Sequence, residues 1–258
     1  MDGMTDGETR DTWLNVFEDL VELIDHAPSP QRRPVGDWTR EDQAAAHAVA
    51  VAWGWLTRMK RTCSAVFMLE DANHGVESRP MVRSVIEHAI RLRWAADLEL
   101  HVFVEALLRI KLWSLDKTLE AAKNGWPLPP SLEQAIEESK AEASEDFKHL
   151  DTYKHLANVV STNTEEFAGL YQYWLLETQY SHPTLWSADP YFSPDEDGLG
   201  WKLHDDPRPF NGRTDVLLPS LLWIAAGAFA TISGLSSYFE DPLNEIGARM
   251  SALGAGPP

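Results

Sequence analysis

Apolar residues recur at helical spacing along most of the chain, and polar and helix-breaking residues divide them into segments. Trp13, Val16, Phe17, Leu20, Val21 and Ile24 lie three or four apart and predict an amphipathic helix from Asp11 to His26. Pro28, Pro30 and Pro34 end it, because proline cannot donate to a helical ladder and restricts the residue before it. Thr39, followed three residues later by Asp42, reads as a capping box that opens a long alanine-rich helix from Arg40 to Ala72. Asn73-His74-Gly75 stops that helix. A third helix starts behind Ser78 as N-cap, with Pro80 in its first turn. Val82, Val85, Ile86, Ala89, Ile90, Leu92 and Ala96 form its core face. Arg93 and Asp97 fall inside the same arc and predict a buried ion pair. The pattern runs on past Asp97, with a break near Leu100, to about Lys123.

Gly125 to Pro130 is a clear break. Ser131 to His149 then predicts an acidic outer helix, and shorter helices cover Thr152–Val160 and Thr164–Ser181. The stretch from Pro183 to Thr214 is rich in proline and glycine and carries Trp186, Tyr191, Phe192, Trp201 and Phe210. Disordered segments are poor in aromatics, so this reads as a packed loop of functional type. From Val216 to Phe239 no residue is charged. That length would span a bilayer, but Pro219, two glycines and five Ser/Thr residues dilute it. A central buried helix is the reading adopted, with a tail anchor over 216–239 as the alternative. Together these segments predict an all-α fold. A helical bundle occupies residues 11–248 as a single domain, with the long aromatic loop (183–214) between its last two core helices. Residues 1–10 and 249–258 form disordered tails, fraying beginning at Gly247.

Charge narrows the functional classes. The formal net charge is −18, from 22 basic and 40 acidic residues, so DNA and anionic membrane surfaces are repelled. Arg58-Met59-Lys60-Arg61 is the one dense basic run and reads as a solvated helix face. The single cysteine, Cys63, permits no intramolecular disulfide, and the N-terminal stretch lacks the features of a signal peptide. Both fit a cytoplasmic protein. The 11 tryptophans suit a packed core and also an aromatic-lined cavity or interface.

On the third helix Arg83, Glu87 and Arg91 recur every fourth residue. Arg83-x4-His88 resembles the Arg-x4-6-His signature of HEPN domains, which are helical bundles. The resemblance implies metal-independent RNA cleavage, in which the histidine handles a 2′-hydroxyl proton and the arginine steadies the phosphate. It also implies a homodimer, because two copies of the motif meet across a dimer in that family; within one chain, five residues is about 140° around a helix, so Arg83 and His88 do not share a face. The small polar Ser84 after the arginine fits the same signature. A second resemblance is to a large family of bacterial helical proteins with an arginine–glutamate helix and a downstream serine–histidine turn. Here it rests on Arg83, Glu87, Tyr173, Ser181 and His182-Pro183, and it implies a fold and a site region without an activity.

Three functions follow as expectations. The first is a HEPN-like ribonuclease or a defence- or toxin-type effector acting on RNA through Arg83, Glu87, His88, Ser181 and His182. The second is a non-catalytic module that holds a small molecule or peptide under the 183–214 loop, with Tyr173, Trp186, Tyr191 and Trp201 as contacts. Pro183 ends a helix there, so His182 either caps its free carbonyls or faces a cavity. The third is a metal-dependent oxidase of helical-bundle type, for which Asp71/His74 and Asp146/His149 have ligand-like spacing and Asp151/His155, Glu87 and Glu105 are further candidates. His74 adjoins a helix-breaking glycine and Asp146/His149 sit on the most solvated helix, so neither a metal nor a cofactor is predicted.

Overall fold

The amphipathic N-terminal pattern forms α1, Asp6–Asp25, which starts earlier than its apolar spacing indicates. A computed structural model describes residues 6–30, 39–141, 150, 153–161, 164–197, 199–208 and 213–254. Trp13, Val16, Leu20 and Ile24 of α1 are all buried. The second helix, α2, spans Arg40–Asp71 and opens with the predicted capping box. The Thr39 hydroxyl accepts from the Asp42 amide at 3.1 Å, and the Asp42 carboxylate accepts from the Thr39 amide at 3.0 Å. The chain leaves α2 through Asn73, which takes a left-handed φ of 64°. Asparagine is one of the few non-glycine residues that visits this region readily.

Helix α3, Arg79–Ala96, follows at once. Ser78 is not its cap: its backbone is already helical, and its buried hydroxyl donates to the Gly75 carbonyl at 2.8 Å. The predicted core face from Val82 to Leu92 is buried. The break near Leu100 is real, and α4 runs Leu100–Lys123. Arg93 and Asp97 do pair, Nη1 to Oδ1 at 2.6 Å, but their side chains are 30 % and 41 % exposed, which corrects the expected burial. Asp97 is the C-cap, beyond the last helical residue, so the helical projection that placed it inward no longer applies.

Helix α5 (Pro130–Ala141) is the first part of the acidic segment, and 142–149 lie outside the described residues. Helices α6 (Leu156–Ser161) and α7 (Thr164–Ser181) lead to the aromatic loop. That loop contains a four-residue helix, α8 (Leu185–Ala188), and a 3-10 turn, Asp189–Tyr191. Strand β1 (Phe192–Pro194) then pairs antiparallel with β2 (Trp201–Leu203), Phe192 opposite Leu203.

The long apolar segment is two helices rather than one. Helix α9, Thr214–Ser233, ends at Gly234, whose φ of 72° suits a residue without Cβ. Helix α10, Ser236–Ala252, folds back and buries Phe239, Leu243, Ile246 and Met250, so the chain does not fray at Gly247. Gly247 instead permits close packing: a Cβ there would sit 3.2 Å from the Trp223 ring. Trp223 fixes the same contact by donating its indole N–H to the Leu243 carbonyl at 2.8 Å. Arg249 pairs with Asp19 and ties α10 to α1, within the stretch expected to be a tail.

Helix α9 packs against α1, α2, α3 and α10, and α3 packs against α2, α6, α7 and α9. Among the described helices, α9 alone is long and apolar enough to cross a bilayer, with a mean hydropathy of 1.8. Of that apolar window, 67 % is buried among the other helices, the environment of a core helix. One buried cluster joins side chains of α1 to α4, α6, α7, α9 and α10.

Candidate functional site

Helix α3 carries a row of charged residues four apart: Arg79, Arg83, Glu87 and Arg91. Residues at this spacing stack along one flank of a helix, which here faces α7 at one end and the 153–154 segment at the other. The row runs antiparallel to α7. Arg79 forms an ion pair with Glu177, and both side chains are only 4 % exposed. One turn on, the Arg83 Nε donates to the Thr178 hydroxyl at 3.0 Å, and its guanidinium lies 5.0 Å from the Trp174 ring. That is a cation–π contact on a ring itself stacked on Tyr171. Glu87 does not bond Arg83. It accepts from Arg91 Nε at 3.1 Å, and Arg91 also reaches the Tyr153 and Lys154 carbonyls.

Around Arg79 the interior is charged. Glu70, at the end of α2, accepts from the Thr214 hydroxyl at 2.5 Å, at the start of α9. Burial raises the Glu70 carboxyl, with the Thr214 hydrogen bond, Arg79 and Arg10 working against it. Burial likewise lowers the Arg79 guanidinium to about 10, opposed by Glu70 and by Tyr180. Arg79 therefore stays cationic at neutral pH. The Tyr180 ring lies 5.7 Å from its guanidinium and also meets Trp186 of α8 edge-on at 5.7 Å. This cluster joins four helices and the base of the aromatic loop. Arg79, Glu177, Glu70 and Thr214 were not candidates in the sequence. Arg79 is one further step of four before Arg83, and Glu177 is four before Ser181, so the periodicity contains both.

His88 points away from Arg83. Its ring meets Trp55 of α2 edge-on at 5.9 Å, and its Nδ1 donates to the Ser84 carbonyl at 2.7 Å. Burial holds its pKa below the ordinary histidine value, aided by the nearby Arg58 and Arg91 cations and opposed by the Ser84 carbonyl and Glu87. Arg83 and His88 thus face different helices within one chain. Ser181 donates to the Glu177 carbonyl at 2.6 Å. His182 is exposed, and among the described residues it makes no side-chain hydrogen bond or ion pair, so it neither caps α7 nor joins Arg83 and Glu87. Thr184 performs the capping, its hydroxyl donating to the Gln179 carbonyl at 2.6 Å.

The loop candidates separate. Tyr191 donates its hydroxyl to Glu77, on the α2–α3 connection, which pushes the phenol up to about 12. Arg208 braces the loop through Asp189 at 2.6 Å and the Pro190 carbonyl. Trp201 packs edge-on against Phe192 yet stays 65 % exposed, and Trp186 and Tyr173 are each 49 % exposed. Leu185, Leu199 and Leu203 beside them are also exposed.

Of the metal candidates, Asp71 is held by Arg10 at 2.6 Å, His74 faces Glu77 at 3.8 Å, and Glu105 pairs with Arg40. Asp146, His149 and Asp151 lie outside the described residues. Among the described residues no three His, Cys, Asp or Glu side chains gather into a metal-holding group.

No curated protein and no solved structure matches the chain. A family model does: that of a Family of unknown function (DUF5677) matches residues 49–199, more than half of the chain. The matched span contains the charged row of α3, all of α7 and the Ser181-His182 turn. The chain belongs to the DUF5677 family, whose function is not known.

Proposed function

We propose that this chain is a non-catalytic helical binding module that recognises an apolar peptide segment across the outer surface of its aromatic loop. The observation that carries this reading is the exposure of Leu185, Trp186, Leu199, Trp201 and Leu203, which range from 49 % to 91 % exposed on one braced loop. Contiguous exposed apolar surface on a soluble chain marks an interaction site, and loop residues held by a rigid scaffold carry function more often than stability. The ligand lies over the loop in this reading, because Tyr191 and Tyr180 are already engaged, by Glu77 and by Trp186. Support also comes from the charged row. Arg83 is engaged by Trp174 and Thr178, and His88 is neutral and packed against α2, so these two form no acid–base constellation within one chain.

The test is selection of a displayed random-peptide library on the intact chain, followed by binding of the recovered peptides to Trp186→Ala/Trp201→Ala. Apolar peptides that bind the parent and lose about tenfold or more in affinity to the variant, with an unchanged melting temperature, support the module. Peptides that bind both alike overturn it. A parallel incubation with total RNA without metal separates the enzymatic alternative: cleavage abolished by His88→Ala would replace the binding module with a ribonuclease.

A further inference from the structure

In a chain with an excess of 18 negative charges, most of the described arginines are covered by carboxylates. Arg10, Arg40, Arg79, Arg91, Arg93, Arg208, Arg213 and Arg249 each pair with an acid. Arg58 and Arg61 of α2 are different. Both are exposed, and among the described residues neither has an ion pair or a hydrogen bond. Lys60, between them in sequence, turns to the opposite side of the helix and pairs with Asp25.

The two arginines border a groove of about 410 Å³ with Gly54, Thr57, Thr62 and Met81. Two features distinguish this shallow groove from a plain helix face. The Thr57 hydroxyl is buried at its wall and has no hydrogen-bond partner, although a helical threonine normally bonds the carbonyl a turn before it. Met81 of α3 adds an apolar side chain to the lining.

We infer that the α2–α3 groove binds the phosphoryl group of a small phosphomonoester through Arg58, Arg61 and the Thr57 hydroxyl. Two planar guanidinium forks plus one hydroxyl offer more donors than a carboxylate can accept, and they suit the several oxygens of a phosphoryl group. The volume lies within the range of small-molecule sites, and Met81 and Ala65 offer apolar surface to the uncharged body of the ligand. A long polyanion such as RNA is opposed by the net charge of −18, whereas a small dianion is drawn to the local cationic pair. This site lies away from the aromatic loop and rests on no part of the peptide-binding reading.

Isothermal titration calorimetry on the intact chain tests the proposal, with adenosine monophosphate, inorganic phosphate and adenosine as probes. Adenosine monophosphate is expected to bind, and adenosine to bind about tenfold more weakly or worse. Arg58→Ala and Arg61→Ala should each weaken the nucleotide by about tenfold, while Arg40→Ala on the same helix leaves it unchanged. The exposed positions of these arginines keep the melting temperature constant, which scanning calorimetry verifies. Inorganic phosphate binding as tightly as the nucleotide, with the same loss in both variants, supports the phosphoryl site and identifies the free ion as its occupant. Absence of binding by both phosphate and the nucleotide overturns the proposal, as does binding that survives both substitutions. Binding of a single-stranded RNA oligomer without either small probe also overturns it, in favour of nucleic acid.

Discussion

Arg79 and Glu177, from helices distant in sequence, meet as an ion pair with both side chains withdrawn from water. Taking two charges out of water costs several kcal/mol per ion, and the pair offsets that cost only while both members are present. Replacing Glu177 with alanine strands a buried cation, and a loss of about 3–5 kcal/mol in unfolding free energy is expected by urea titration. The double replacement Arg79→Met/Glu177→Leu should recover most of that loss. A single-variant cost below about 1 kcal/mol would place the pair in solvent.

His88 predicts a pH dependence. Its folded-state pKa lies below its unfolded value, so as pH falls through the ordinary histidine range the unfolded chain takes up the proton first. The stability associated with a neutral His88 is present above that range and is lost as pH falls toward the folded pKa. Urea titrations at neutral pH and about one unit below the ordinary value of 6.5 should show the parent losing more stability than His88→Leu. Equal losses in the two proteins would show that burial of the His88 ring does not disfavour the charged imidazole.

Asp97→Ala is expected to be mild. The Arg93–Asp97 pair is an (i, i+4) contact with both ends in water, and such pairs contribute about 0.3–0.5 kcal/mol. A thermal unfolding shift corresponding to more than about 2 kcal/mol would return the pair to the interior.

The tether between Tyr191 and Glu77 should govern the loop and leave the bundle unchanged. Because the phenol is held up at about 12, it remains a donor throughout the neutral and mildly alkaline range. Tyr191→Phe should change global unfolding by about 1 kcal/mol or less while speeding proteolytic nicking between α8 and β2. Unchanged nicking would mean that Arg208 and the ribbon hold the loop without it.

Helix type and order were legible because the 3.6-residue period of apolar positions is a local property of the chain. The capping box at Thr39 and the break near Leu100 are local in the same way, and so is the row from Arg83 to Arg91. The failures came from geometry outside one helix. Asp97 was projected inward on a helix that had already ended, and Gly234 split an uncharged segment whose composition is uniform on both sides of the turn. Arg79 lay in plain view on the charged row, but its partner is fixed by the register of α3 against α7, which no spacing within either helix encodes. Arg58 and Arg61 read as a solvated face because their lack of acidic neighbours is a fact about the surrounding helices. Arg83, Glu87, Ser181 and His182 lie within the span that the family model matches, but each side chain of the first three turns to a partner outside that set.

The placement of α9 has a consequence for how the molecule is made. The helix that α1, α2, α3 and α10 all touch is encoded near the end of the chain, beyond the span that the family model matches. As the polypeptide leaves the ribosome, the apolar stripes of its first three helices stand without their common neighbour until residue 214 and those after it have emerged. Contacts between such distant parts of a sequence are slow to form, and the waiting surfaces are the kind that chaperones recognise. A truncation that removes Thr214–Ser233 therefore withdraws the support on which each of the first three helices closes.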